Sequence, residues 1–272
     1  LAILTALWLS GFGPALAQPT DPALRLDPAL HGPGALLGAL EALDAYHPPQ
    51  AFEPVRALLG HPDPDVARAA GWYLRREGQA GAGVQTAGAM LADPSVPVST
   101  RQSAALALGA LRAAGGQGPL LEALRADPDE GVRAAAAEAL GELHRAGAAA
   151  GLAQSLAEEP DGSVRSRAAR ALGQLPDVDP AGLARGLSDE EASVRLETVW
   201  ALGRLRATTQ AGSLRISLQS DADCRVRAAA AWALTQAGDC SAADALRQVR
   251  DASSCRLASQ AAAFALVELG CQ

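Results

Sequence analysis

The sequence predicts an all-α solenoid. Three observations carry that expectation: a fixed period, an apolar face of helical spacing inside each period, and a composition suited to packed helices. The leucine of an Ala-Leu-Gly box recurs at 74, 108, 140, 172, 202, 234 and 266, in steps of 34, 32, 32, 30, 32 and 32 residues. Self-similarity at this spacing marks units that each bury their apolar face only against their neighbours, with contacts expected between adjacent units alone. Within the clearest unit, Val132, Ala135, Ala136, Ala139, Leu140 and Leu143 fall on one face of a helix. Hydrophobic residues make up 49% of the 272 residues but aromatic ones only 3%, and this shortage of strand-favouring side chains argues against a sheet.

The chain opens on an apolar run, Leu1 to Leu9, broken by Gly11-Phe12-Gly13-Pro14 and followed by Ala15-Leu16-Ala17. An apolar core ahead of a small-x-small site is the pattern of a cleaved export signal over residues 1–17. The expected location is therefore the periplasm or the medium, with no membrane attachment after cleavage. Residues 18–33 are rich in Pro and Asp and read as a linker. Over residues 34–50, Leu36, Leu37, Leu40 and Leu43 predict a capping helix for the first repeat. Residues 51–272 then form about seven two-helix units.

In each unit a shorter first helix ends near Leu59, Leu91, Leu124, Leu156, Leu187, Leu218 or Val249. An acidic turn follows, often containing Pro (Asp93-Pro94, Asp127-Pro128, Glu159-Pro160), which stops the first helix and admits the second. Gly109, Gly141, Gly173 and Gly203 follow the box leucines. A glycine inside a helix costs about 1 kcal/mol relative to alanine, so four at one register predict close helix contact there. Repeat 1 is degenerate at Val66-Ala67 and Leu74-Arg75, and the turn of repeat 2 carries two extra residues around Ser95 to Ser99.

The pattern Asp-Pro-Asp-x-x-Val-Arg-x-x-Ala-Ala-x-Ala-Leu-Gly, seen from Asp127 to Gly141, resembles the short HEAT-like repeats first grouped with phycobilisome lyases. That resemblance implies an α-solenoid whose usual role is to bind other proteins. It also leaves a rival role, a lyase-like or chaperone-like binder of a small hydrophobic ligand in the concave groove.

The formal charge is −7, and all 23 basic residues are Arg. An acidic balance weighs against nucleic acid as a partner. His31, His47, His61 and His144 share no metal-binding spacing, and no phosphate loop or nucleophile motif is present. The expectation is thus no catalytic residue, metal or cofactor, and a monomer with an unidentified protein partner. Asp129–Arg133, Asp161–Arg165, Glu191–Arg195 and Asp223–Arg227 are spaced i,i+4 and predict ion pairs at the start of each second helix. Stacked at one repeat distance, they would also form a ladder between units. The functional alternative is an Arg column that holds an anionic ligand.

All four cysteines lie near the C-terminus: Cys224, Cys240, Cys255 and Cys271. An exported chain with an even count favours disulfides. Cys224 and Cys255 precede second helices, whereas Cys240 and Cys271 follow them, some 15–20 Å away by helix rise. Bridges would therefore run Cys224–Cys255 and Cys240–Cys271. Inter-repeat spacing near 10 Å makes both demanding, so free thiols are the competing state.

Two residues before the box leucine the column reads Trp72, Leu106, Glu138, Arg170, Trp200, Trp232 and Phe264. This position lies off the centre of the buried face. Trp200, Trp232 and Phe264 would therefore either pack laterally between second helices or form an exposed partner-binding stripe. Arg204 and Gln236 would supply the polar rim of such a stripe.

Overall fold

The structure is a computed structural model that describes residues 26–29, 31–44 and 48–270. The predicted signal segment, most of the linker and Cys271 lie outside the described residues. Among those residues there is no strand, and no helix is long and apolar enough to cross a membrane.

Helix α1 (Pro33–Leu43) packs on the second helix of repeat 1. Repeat 1 is α2 (Phe52–Ala57), a 3-10 turn (Leu58–Gly60) and α3 (Pro64–Arg76). Repeats 2 to 4 pair α4 (Ala80–Ala92) with α5 (Val98–Leu111), α6 (Gln117–Ala126) with α7 (Glu130–Leu143), and α8 (Ala149–Glu158) with α9 (Gly162–Leu172). Repeat 5 sets a 3-10 helix (Pro180–Ser188) against α10 (Ala192–Arg204). Repeats 6 and 7 pair α11 (Ala211–Ser220) with α12 (Cys224–Ala237) and α13 (Ala243–Ala252) with α14 (Arg256–Leu269).

Each second helix packs on its own first helix and on the second helix of the next repeat. The box leucines are fully or almost fully buried from Leu74 through Leu234. Leu266, on α14 of repeat 7, is only partly buried. The first helix of repeat 5 departs from the expected α-helix. This unit is the shortest, with 30 residues between box leucines, and a 3-10 helix rises about 2.0 Å per residue against about 1.5 Å for an α-helix. A tighter winding thus spans the layer with fewer residues. At Gly186 it comes so close to the buried Thr198 that any Cβ would clash with the hydroxyl.

The glycine column does what its register suggests. A Cβ on Gly109 or Gly141 would lie 3.0 Å from the Cα of Ala139 or Ala171, and one on Gly173 would lie 2.6 Å from that of Ala201. At these three seams the helix axes approach across glycine and alanine. At Gly203 the facing group is instead the ring of Trp232.

Two expectations need correction. The i,i+4 acids do not pair with their arginines. Asp129, Asp161 and Asp223 cap their helices, accepting backbone N–H groups such as Val132 N at 3.1 Å and Val164 N at 3.1 Å. A carboxylate so engaged, one turn below the arginine, is turned into the helix end. Arg133, Arg165 and Arg195 reach instead to the first acid of the next repeat's turn, so the ladder runs between units. Contacts also do not run only between adjacent units. Arg68 of repeat 1 pairs with Glu138 of repeat 3 and lies 3.5 Å from Glu142. Side chains two units apart meet only on the inside of a curve, so the second helices line the concave side.

Candidate interaction surface

The column two residues before the box leucine runs along this concave side and changes character from end to end. Trp72 is 42% exposed, with the Arg76 guanidinium 4.8 Å from its ring centroid. Leu106 is buried. Glu138 joins Arg68 on one side and Arg167, at 2.5 Å, on the other. Arg170 holds Glu197 through Nε at 3.2 Å and Nη2 at 2.7 Å. Trp200 and Trp232 are half-buried and touch, with centroids 4.5 Å apart and planes tilted by 49°. Phe264 is 62% exposed.

The structure therefore brings Trp200 and Trp232 together as a packed pair and leaves Phe264 as the open end of the row. Trp232 lies over Gly203, where a Cβ would displace its ring. Arg204 crosses to the preceding repeat, donating from Nε to the Gly173 carbonyl and from Nη2 to the Arg170 carbonyl, both at 3.3 Å. Burial lowers its pKa and Arg170 adds to this, while Glu197 acts the other way. Gln236 is half-buried on α12, one turn beyond Trp232.

Arg68, Glu138, Glu142 and Arg167 form a charged cluster that the sequence did not reveal. Burial holds the Glu142 carboxyl above its ordinary value; Arg68 pulls it down and Glu138 pushes it up. The only signal available was Glu138 standing in a column otherwise partly aromatic. Its partners are 70 and 29 residues away, which local spacing does not link.

The turn ends carry the arginine ladder. Arg101 grips Asp127 through Nε and Nη2, both at 3.0 Å. Arg133 grips Glu159 at 3.0 and 2.7 Å, Arg165 grips Asp189 at 2.8 and 2.9 Å, and Arg195 grips Asp221 at 2.8 and 3.0 Å. In each, Nη1 is tied to carbonyls of the arginine's own turn: Val96, Asp127, Glu159 and Asp189 respectively. The extra residues in the repeat 2 turn thus supply a rung's anchor. The carboxylate bonds raise the pKa of all four arginines.

Cys224 and Cys255 are bonded, with Cα atoms 5.9 Å apart. Cys224 is the first residue of α12 and Cys255 the N-cap of α14, so a one-residue offset closes the inter-repeat gap. Cys240 is also disulfide-bonded; Cys271, its expected partner, lies outside the described residues. No group of three or more His, Cys, Asp or Glu that would hold a metal occurs among the described residues.

No curated protein matches the chain in sequence. Among solved structures, YibA of E. coli is 15% identical over 94% of this chain and 93% of its own, with a TM-score of 0.57. Kap95p, solved with RanGDP, is 13% identical over 91% of this chain and 40% of its own, with a TM-score of 0.59. The complex of CpcE and CpcF, the phycocyanin lyase of Nostoc sp. PCC7120, matches at 24% identity over 80% of this chain and 87% of that one, with a TM-score of 0.46. The family model for HEAT repeats matches residues 84–173 and 180–267. With that match across most of the solenoid, and with the two-helix units stacked as described, the chain belongs to the HEAT-repeat family.

Proposed function

We propose that the chain is a non-catalytic, monomeric scaffold that works in the periplasm or outside the cell and holds a protein partner on its concave side. The observation that carries this reading is the exposed Phe264 ring continuing the Trp200–Trp232 pair. A large aromatic left open at the end of a packed row suits an interface anchor. Disulfides among the C-terminal cysteines fit an oxidising compartment. Kap95p, a chain of this fold, was solved with a bound protein. The charged cluster over repeats 1 to 4 favours a polar macromolecular surface over the alternative, a small hydrophobic guest in the groove.

The test is affinity capture from periplasmic extract with wild type and Phe264→Ala, alongside melting curves for both. Phe264 is mostly exposed, so the variant should melt as wild type does while losing a discrete captured protein. Identical capture by both proteins, or a copurifying chromophore or lipid with no captured protein, would sink the reading. Fusion of residues 1–17 to a reporter that is active only after export tests the location.

A further inference from the structure

The arginine ladder has a fifth arginine with no carboxylate. Arg227 stands at the same register as Arg101, Arg133, Arg165 and Arg195, and its Nη1 is anchored in the same way, 2.6 Å from the Asp221 carbonyl. At the position that holds Asp127, Glu159, Asp189 or Asp221 in the other rungs, the next repeat has Ser253. Ser253 keeps the turn bond those acids make. Its hydroxyl accepts from Cys255 N at 3.1 Å, as Asp127 accepts from Asp129 N at 3.0 Å. The carboxylate alone is missing.

The acids nearby are already engaged. Asp221 is held by Arg195, and Asp223 by Arg225 at 2.7 Å. Arg227 Nε is buried and without a hydrogen-bond partner, an arrangement that is costly until an acceptor arrives. The guanidinium lines a cavity of about 260 Å³ together with Gln219, Gln248, Ser253 and Ser254. Gln219 donates to Gln248 at 2.9 Å, which fixes the two amides as a polar wall.

We propose that Arg227 and this cavity bind a carboxylate supplied from outside the chain, seated as the fifth rung. Carboxylate is the indicated class because four equivalent arginines each take one in the same two-bond geometry, which a planar guanidinium matches. A phosphate dianion is disfavoured, since Arg227 is the only basic residue among those lining the cavity and one of its nitrogens is already tied to the Asp221 backbone carbonyl. The carboxylate has two sources, a free small acid or an acidic side chain of a peptide. The site is separate from the aromatic row and stands or falls independently of it.

The experiment follows the arginine Nε–H resonances of the full chain, labelled with ¹⁵N. Glutarate is titrated in one arm and the capped peptide Gly-Glu-Gly in the other, with Gly-Gln-Gly and inorganic phosphate as controls. Arg227→Gln identifies the Arg227 resonance by removing it. Saturable movement of that resonance with glutarate, the Glu peptide or both supports the site, and the responding arm names the source. Ser253→Asp supplies an internal carboxylate, and it should weaken the response by about tenfold or more while leaving melting unchanged or higher. The proposal is overturned if no carboxylate moves the Arg227 resonance, if phosphate or the Gln peptide moves it equally, or if Ser253→Asp responds as wild type does.

Discussion

Two seams of this solenoid do the same job by different chemistry. Between repeats 4 and 5 the turns are joined by Arg165 gripping Asp189 through two nitrogens, with both side chains largely buried. Between repeats 6 and 7 the turns are joined by the Cys224–Cys255 bond, and the acid that would face Arg227 is replaced by Ser253. An ionic rung depends on pH and on both partners staying paired in a place shielded from water. A covalent rung is insensitive to pH but depends on redox state. The array thus carries ionic rungs between repeats 2 and 6 and a covalent one between repeats 6 and 7.

The largest effect should come from breaking an ionic rung from one side. Arg165→Ala strands Asp189, and removing one member of a buried pair costs about 3–5 kcal/mol. Urea unfolding should show it, and a loss below about 1 kcal/mol would mean the rung is ornamental. The double variant Cys224→Ser/Cys255→Ser should cost about 2–4 kcal/mol. That loss should be smaller than the loss on reducing the wild type, which also opens the Cys240 bridge, and should appear first as hydrogen exchange in α13 and α14. Uniform exchange along the array would contradict a local staple.

A pH series separates the seams next. The folded pKa of Asp189 lies below its ordinary value: burial pushes it up, but the bonds from Arg165 and from the Glu191 backbone N–H pull it further down. Asp223 is lowered to about 2, chiefly by the Arg225 hydrogen bond, and Asp161 is lowered by Ser163. Depressed carboxylates contribute stability above their unfolded values near 4, and that stability is lost as pH falls through the folded values. Melting temperature should therefore drop below about pH 4, with repeats 4 and 5 loosening before the bridged end. Glu142 has the opposite sign. Its raised pKa makes the folded state the tighter proton binder, so its contribution declines as pH rises from the ordinary value through the folded one. Glu142→Gln should flatten that part of the curve.

The smallest effect should be at the incomplete rung. Arg227→Ala leaves no carboxylate behind and should cost under about 1 kcal/mol, against several for Arg165→Ala. Equal losses would mean that the two arginines are held alike and that Ser253 is no real vacancy in the ladder.

The sequence made the repeats legible because their signals are local. The box leucine, the turn proline and the glycine each act within one unit or against the one beside it, and the same offsets return every unit. The ladder was half legible. Each arginine and acid could be placed, but local spacing favoured Asp129 for Arg133, whereas capping commits Asp129 to Val132 N and the partner proves to be Glu159. The Trp column was open between packing and exposure. Geometry divides it, with Trp200 and Trp232 in contact and Phe264 outside. The Arg68–Glu138 contact was not legible at all, because it depends on curvature summed over three repeats.

That contact also says something about mechanics. A superhelix of stacked units behaves as a spring, and its stiffness is set by whatever ties one turn of the coil to another. Arg68, Glu138 and Arg167 form a strap across the inner side of repeats 1 to 4, and further along the groove no ion pair among the described residues skips a unit. Stretching the array would have to break that strap before the first repeats could splay, while repeats 5 to 7 are tied only between adjacent units, at their turn ends. The chain should therefore act as a rigid hook joined to a compliant one, with the compliant half carrying the aromatic row.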